Sequence, residues 1–379
     1  MSPLPVLFGY HASNLGNSHV PISLCRYWNK KGKKATLSVA GTDDSLTYTW
    51  IKPALKGLNK KIFYKFYTTN QIRSITEKRF CKQEILSSHV YLWAGLSLDV
   101  FIFFSDKGVK IITERINCHR ATSRRLVTDA ANILGITPVI TITDEDIAEE
   151  NKKLALADAI FSPSPMVKSS LLENNVPGAK ILSSSYGWEP DRFPLVDEPR
   201  KKNSRPVFLF VGKLCMRKGI PLLLEAWSRA DIDGDLILCG NIDNYIATVF
   251  AQNLNKKNIR LITYTNNIGQ IYNMADVFVF PSIEEGGPMV TYEAMAHGIP
   301  PIVSAMGGGA IVQDKINGLV LSDKDVDAWA AAITELSESP EKRSQLGKNA
   351  KLRAQQFTWE RVAEQRALLL QNRYPEIWS

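Results

Sequence analysis

Two glutamates, Glu285 and Glu293, stand with seven residues between them in Ser282-Ile-Glu-Glu-Gly-Gly-Pro-Met-Val-Thr-Tyr-Glu-Ala-Met-Ala-His-Gly298. A carboxylate only accepts hydrogen bonds, so such a pair suits a cluster of hydroxyls, a ribose diol or a hexose. Gly286 and Gly287 follow the first acid and let the backbone approach a ligand closely. Upstream, Gly212-Lys-Leu-Cys-Met-Arg-Lys-Gly219 carries three cations, Lys213, Arg217 and Lys218, able to offset the charge of a diphosphate. The loop is not a phosphate-binding P-loop, because Gly-x-x-x-x-Gly-Lys-Ser/Thr is absent. The two stretches together describe a sugar joined to a phosphate. Taken singly, each also reads as a solvated loop, one acidic and one basic.

The elements around them position both loops alike. Asp276-Val-Phe-Val-Phe280 is a short apolar run of buried parallel-strand type, ending at Pro281. Met289 to His297 has helical spacing, closes on Gly298 and cannot continue past Pro300, and Ile302-Val303-Ser304 resumes a strand. Val207–Val211, the cation loop, Ile220–Ala230 and Leu236–Cys239 repeat that order. Open α/β sheets bind ligands at the carboxyl ends of their strands, where helix starts favour anions.

The first half repeats the theme more weakly. A strand at Val6–Phe8, a polar loop Tyr10–His19, a helix Val20–Asn29 and a strand Thr36–Val39 place Gly16, Asn17 and Ser18 where a helix start could face a ligand, or merely cap the helix. Strands are expected at His89–Trp93, Val100–Phe104 and Val109–Thr113. His119, beside Arg115 and Arg120, follows the last of these and could bond a sugar hydroxyl or a phosphate, or be structural. Thr143-Asp-Glu-Asp146 reads as a helix cap rather than a metal site, and Asp231–Asp235 lacks the glycine and distal glutamate of a calcium loop.

At 379 residues the chain exceeds one comfortable core, so two domains are expected, 1–187 and 188–379, with a polar, proline-rich linker between Gly187 and Pro206. Five scattered cysteines form no C-x-x-C pair and imply neither a disulfide frame nor a zinc site. No apolar run reaches the ~18 residues of a membrane span, and Met1-Ser-Pro-Leu-Pro lacks a secretory signal, so a cytoplasmic protein is expected. The net charge of +8 implies an acidic partner. Much of the excess lies in Lys56–Lys82, where lysines alternate with aromatics, a pattern fit for an anionic membrane surface or for a solvated helix face. No nucleic-acid-binding module is recognised.

Phe210-Val-Gly-Lys-Leu with Lys218-Gly219, Ala275-Asp-Val-Phe-Val-Phe-Pro-Ser282, the glutamate pair, Glu293-Ala-Met-Ala-His-Gly-Ile-Pro300 and Asn317-Gly-Leu-Val320 resemble the retaining glycosyltransferases of family four, glycosyl transferases group 1. The similarity runs from about Ile111 to Trp359 and is strong after Val207. It implies the α/β GT-B fold: two facing Rossmann-like domains, a cleft between them, and a C-terminal helix, about 357–379, crossing back to the first. It implies a nucleotide diphosphate sugar, UDP- or GDP-linked, as donor, and no metal or other cofactor; the basic, aromatic stretch of the first domain favours a glycan or lipid-linked acceptor, a membrane-bound glycolipid or a growing surface polysaccharide. Glu293 would bind the ribose and Glu285 the donor sugar. The backbone of Gly286, Gly287, Pro288, Met289 and Val290 would approach that sugar. Gly212, Lys213 and Lys218 would take the diphosphate, while His119 and Gly16 would reach the donor from the first domain. The catalytic set is then Glu285, Lys213, Lys218 and His119. Lys213 stands where arginine is usual, Gly287-Pro288 replaces Phe-Gly, and Ala310 occupies a frequent glutamate position, so the donor sugar stays open. A sugar-nucleotide epimerase or hydrolase on the same fold, or a non-catalytic binding subunit, are the alternatives.

Overall fold

Short apolar runs separated by helices build two parallel sheets. The computed structural model describes every residue except 1, 14–15, 84–86, 134, 136–140, 194–204, 264, 266 and 379, and the side chains of 58, 59 and 61. The inner part of the expected linker, 194–204, therefore lies outside the described residues. In spatial order the first sheet is Ile51–Pro53, Ala35–Val39, Leu4–Leu7, His89–Leu92, Lys110–Glu114, Ala159–Ser162 and Ile181–Ser183. The second is Ile259–Ile262, Asp235–Cys239, Val207–Val211, Val277–Phe280, Pro301–Ser304 and Leu319–Leu321. Numbered along the chain, the second runs 3-2-1-4-5-6, and the first follows the same order with a seventh strand added. Parallel pairing leaves every strand-to-helix loop of a sheet at one edge, and the order reverses beside the first strand, where such folds hold their ligands.

The second-sheet strands carry the expected double-sided burial. Phe208 lies opposite Val277 and Leu209 opposite Phe278, all fully buried. The run Val100–Phe104 is a correction: it is helical, within Leu98–Asp106. Ser97 takes the N-cap position, Asp99 sits in the first turn, and Val100, Phe101 and Phe104 are buried while Ile102 is exposed. A run this short is apolar enough for either element, and here helical spacing wins. At Thr143 the capping box forms as expected, with Thr143 Oγ1 accepting from Asp146 N and Asp146 Oδ2 from Thr143 N.

Two chain crossings join the halves side by side. Trp188 N donates to Phe357 O at 3.0 Å, Trp359 N to Trp188 O at 3.0 Å, and the Trp188 indole to Ala354 O at 2.8 Å. A Cβ on Gly187 would collide with the Phe357 carbonyl, so glycine permits this close pass. Beyond it the helix Trp359–Arg373 returns to the first half, where Trp359, Val362, Ala363, Ala367 and Leu370 join the core of the first sheet. The Trp28 indole fixes its register by donating to Ala363 O at 2.8 Å. Arg366, fully buried, meets fully buried Glu114 at 2.6 Å and donates to Ser185 O at 3.0 Å, while Tyr91 also bonds Glu114.

A buried ion pair is costly to break because the surviving charge is left dry. Arg366→Met is therefore expected to destabilise the chain by about 3–5 kcal/mol, read by urea unfolding. Replacing Glu114 by leucine in the same molecule should recover most of that loss.

Candidate functional site

The carboxyl edges of the two sheets face each other. Gly286, in the loop after Val277–Phe280, lies so close to Ile116 that a Cβ would strike the Ile116 carbonyl, and one on Gly287 would strike the Tyr186 ring. The close approach that these glycines permit is thus made by the first half of the chain itself. Beside this contact lies a cavity of about 600 Å³, bounded by Arg115, Asn117 and Arg124 on one side and Lys213, Arg217 and Tyr245 on the other. That volume lies within the range of small-molecule sites.

The cation loop is seated by backbone geometry. Gly219 adopts φ +72° as the N-cap of Ile220–Ala230, and a Cβ there would collide with the Pro281 carbonyl. Lys218 is thereby held with its ammonium 5.2 Å from the centre of the Phe280 ring and in contact with the Glu285 carboxylate. Burial, with Arg217 alongside, lowers the Lys218 ammonium to about 7, while Glu284 pulls the other way. Lys213 is exposed and lines the cavity, and Gly212 before it has φ +146°. The sequence placed both loops at carboxyl strand ends of one sheet; the structure brings Lys218 and Glu285 themselves into contact.

Glu293 takes other partners. It is buried in the helix Met289–Ala296, accepts from the Tyr272 hydroxyl at 2.9 Å and lies 3.5 Å from Arg192. Burial raises its carboxyl above the usual range, against the pull of Arg192 and Tyr272. At the same helix start, Pro288 is the N-cap residue, Met289 packs on the first core, and Val290 O accepts from Tyr272 at 3.4 Å. Gly16, with φ +59°, opens the short turn Gly16–Ser18 before His19–Lys30, at the carboxyl edge of Leu4–Leu7.

His119 is turned away from the cavity. It is buried, bonds Asn151 Oδ1 at 2.8 Å and lies 3.4 Å from Glu150. Glu150 also pairs with Arg115 and accepts from Arg120 N at 2.6 Å, so one helix carboxylate gathers the cluster that sequence aimed at a ligand. Adjacency in the chain could not show this partner, some thirty residues on. Cys118 borders the cavity, but burial pushes its thiol up to about 12, which suits packing rather than nucleophilic attack.

Three contributors were not singled out from sequence: Glu284, Arg192 and Tyr272. Glu284 is 1% exposed and bonds Asn117, Cys118 and Ser123 across the interface as well as Arg217. A second acid beside Glu285 was the available signal.

The fold and this strand-end site define a GT-B protein. The family description "Glycosyl transferases group 1" matches residues 191–353, so over that segment the chain is similar to the family that the motifs implied. Spore coat protein SA of Bacillus subtilis is 33% identical over 181 residues, 43% of this chain and 48% of that protein. UDP-Gal:alpha-D-GlcNAc-diphosphoundecaprenol alpha-1,3-galactosyltransferase of Escherichia coli is 30% identical over 148 residues, 36% and 38% of the two chains. The chain thus spans about half the length, or less, of these curated relatives. Sucrose-phosphate synthase from Thermosynechococcus elongatus superposes with TM-score 0.72 over 99% of this chain and 100% of that one, at 19% identity. At that identity the likeness is one of fold.

The left-handed backbone at Gly219 costs a β-carbon residue about 1–2 kcal/mol before any collision. Gly219→Ala is accordingly expected to lower stability by at least that much in thermal unfolding, whereas alanine at exposed, uncrowded Gly108 should show only the backbone cost.

Proposed function

We propose that this chain transfers a sugar from a nucleoside-diphosphate sugar to a hydroxyl of a glycan or lipid-linked acceptor, with retention of anomeric configuration. The observation that carries the reading is the Lys218–Glu285 contact at the point where the second sheet reverses its order, with Lys213 facing the cavity beside it. In the bound complex Lys213 and Lys218 offset the diphosphate, Glu285 accepts from the donor-sugar hydroxyls, and Glu293, steadied by Tyr272, accepts from the ribose. The anomeric carbon–oxygen bond to the β-phosphate breaks as the acceptor oxygen bonds that carbon from the same face. The acceptor proton passes to the leaving phosphate oxygen. On this route charge stabilisation supplies the catalysis, and activity is expected to survive EDTA.

Lys218→Ala removes one stabiliser of the leaving group and should lower kcat by about 10²–10³, or ~2.7–4 kcal/mol. The assay is release of nucleoside diphosphate from UDP- and GDP-sugars. Release only with acceptor supports transfer; release without acceptor indicates a hydrolase, and binding with no release indicates a binding subunit.

The preferred acceptor class is lipid-linked, at the inner face of a membrane. On the helix Gly57–Phe66 and at Tyr67 just after it, Ile62, Tyr64, Phe66 and Tyr67 are exposed, Phe66 by 71%, with Lys65 over the Phe66 ring. Among the described residues no helix is long and apolar enough to cross a membrane. The Escherichia coli relative's name gives it a diphosphoundecaprenol acceptor. Flotation with anionic liposomes is expected, and Phe66→Ser should reduce it; equal flotation with neutral liposomes would count against charge as the cause.

A further inference from the structure

We infer that Glu284 is the latch of the cleft, a positioning residue that ties the loop carrying Glu285 to the first half and holds Arg217 in the cation loop. The inference rests on the transfer reading for its kinetic consequence only. Consecutive residues of this loop face opposite ways. Glu284 turns to the first half, Glu285 turns to Lys218, and Gly286 lies against Ile116.

The Glu284 carboxylate is fully used. Oε1 accepts from Cys118 N at 3.2 Å and Ser123 Oγ at 2.9 Å, and Oε2 from Asn117 Nδ2 at 3.1 Å and Arg217 Nη1 at 3.0 Å. Three of these donors belong to the first half and are neutral, and one belongs to the second half and is charged. A buried carboxylate with that set is satisfied only while the halves are together. Arg217 is in turn fixed to the same loop, its Nη1 donating to Glu284 O at 2.8 Å and its own carbonyl accepting from Ile283 N at 2.9 Å. Separating the halves takes Asn117, Cys118 and Ser123 from the carboxylate and leaves Arg217 as its one partner. Closure therefore completes around Glu284 a donor set that the cation loop only begins.

The sequence alone offers Glu284 as a surface acid in a loop. Its neighbour's partner is within the same half, so Glu285 can act on a ligand while Glu284 measures whether the two halves have met. Hydrogen bonds to a charged group are strong enough that losing one shifts an opening equilibrium about tenfold or more.

The test uses the full chain without nucleotide, then with donor and acceptor. Glu284→Gln keeps the shape but halves the accepting capacity, Glu284→Ala removes it, and Asn117→Ala deletes one first-half donor while leaving Arg217 in place. All three are expected to increase the radius of gyration in small-angle scattering. Amide exchange at 115–118 and 283–287 should rise about tenfold while that of Val207–Val211 stays unchanged. In turnover, kcat should fall about tenfold with donor KM nearly unchanged, and glutamine should restore more than alanine. Unchanged scattering and exchange in Glu284→Gln and Asn117→Ala would overturn the latch. Faster exchange throughout the chain would equally overturn it, by making Glu284 a general structural residue. If the wild-type chain transfers no sugar, the transfer reading fails while scattering and exchange still decide the latch.

Discussion

The structure depends on the contact between two facing sheet edges, closest where Gly286 meets the Ile116 carbonyl. All strands of each main sheet are parallel, so their loops leave at one edge, and the two loop-bearing edges are brought together by the paired crossings at Trp188 and Trp359. At that contact the two halves meet through Gly286 against the Ile116 carbonyl and Gly287 against the Tyr186 ring. That is why the loop after Phe280 tolerates so little bulk, and why the return of the last helix into the first core matters to a site some distance from it.

Most cations near the cleft are held by carboxylates rather than left free. Glu150 pairs with Arg115 and Arg120, Glu284 with Arg217, and Glu285 with Lys218. Each pairing lowers the cost of keeping charge in a partly dry place and orients the group before a ligand arrives. On the proposed reading, an anionic donor would exchange partners with these cations instead of ordering them from nothing. Lys213 differs, being exposed at the cavity wall, so it can meet a ligand early.

The second half was the more legible. Its strands are continuous apolar runs and its helices end at Gly298 or begin after Gly219, signals that depend on neighbours a few residues away. Val207–Val211 and Ile220–Ala230 match residue for residue. The same reasoning failed at Val100–Phe104, where five apolar residues do not distinguish a two-faced strand from a helix packed on several sides. His119 was legible only as a choice between a ligand contact and a structural role: its partners are Glu150 and Asn151, and nothing near it in the chain announces them.

What the sequence determined by itself was periodicity, capping and the chemistry on offer: two parallel α/β sheets, two strand-end loops, two acids and three cations. Those features are local, since propensity, steric permission at glycine and the spacing of apolar side chains act over a turn or a strand. What only tertiary structure decided was which charge meets which. Lys218 found Glu285, Glu293 found Tyr272 and Arg192, and Glu284 became a bond between halves, with partners 161 to 167 residues away. Electrostatic pairing depends on distance in space and on exclusion of water, and both are fixed only when the two edges close.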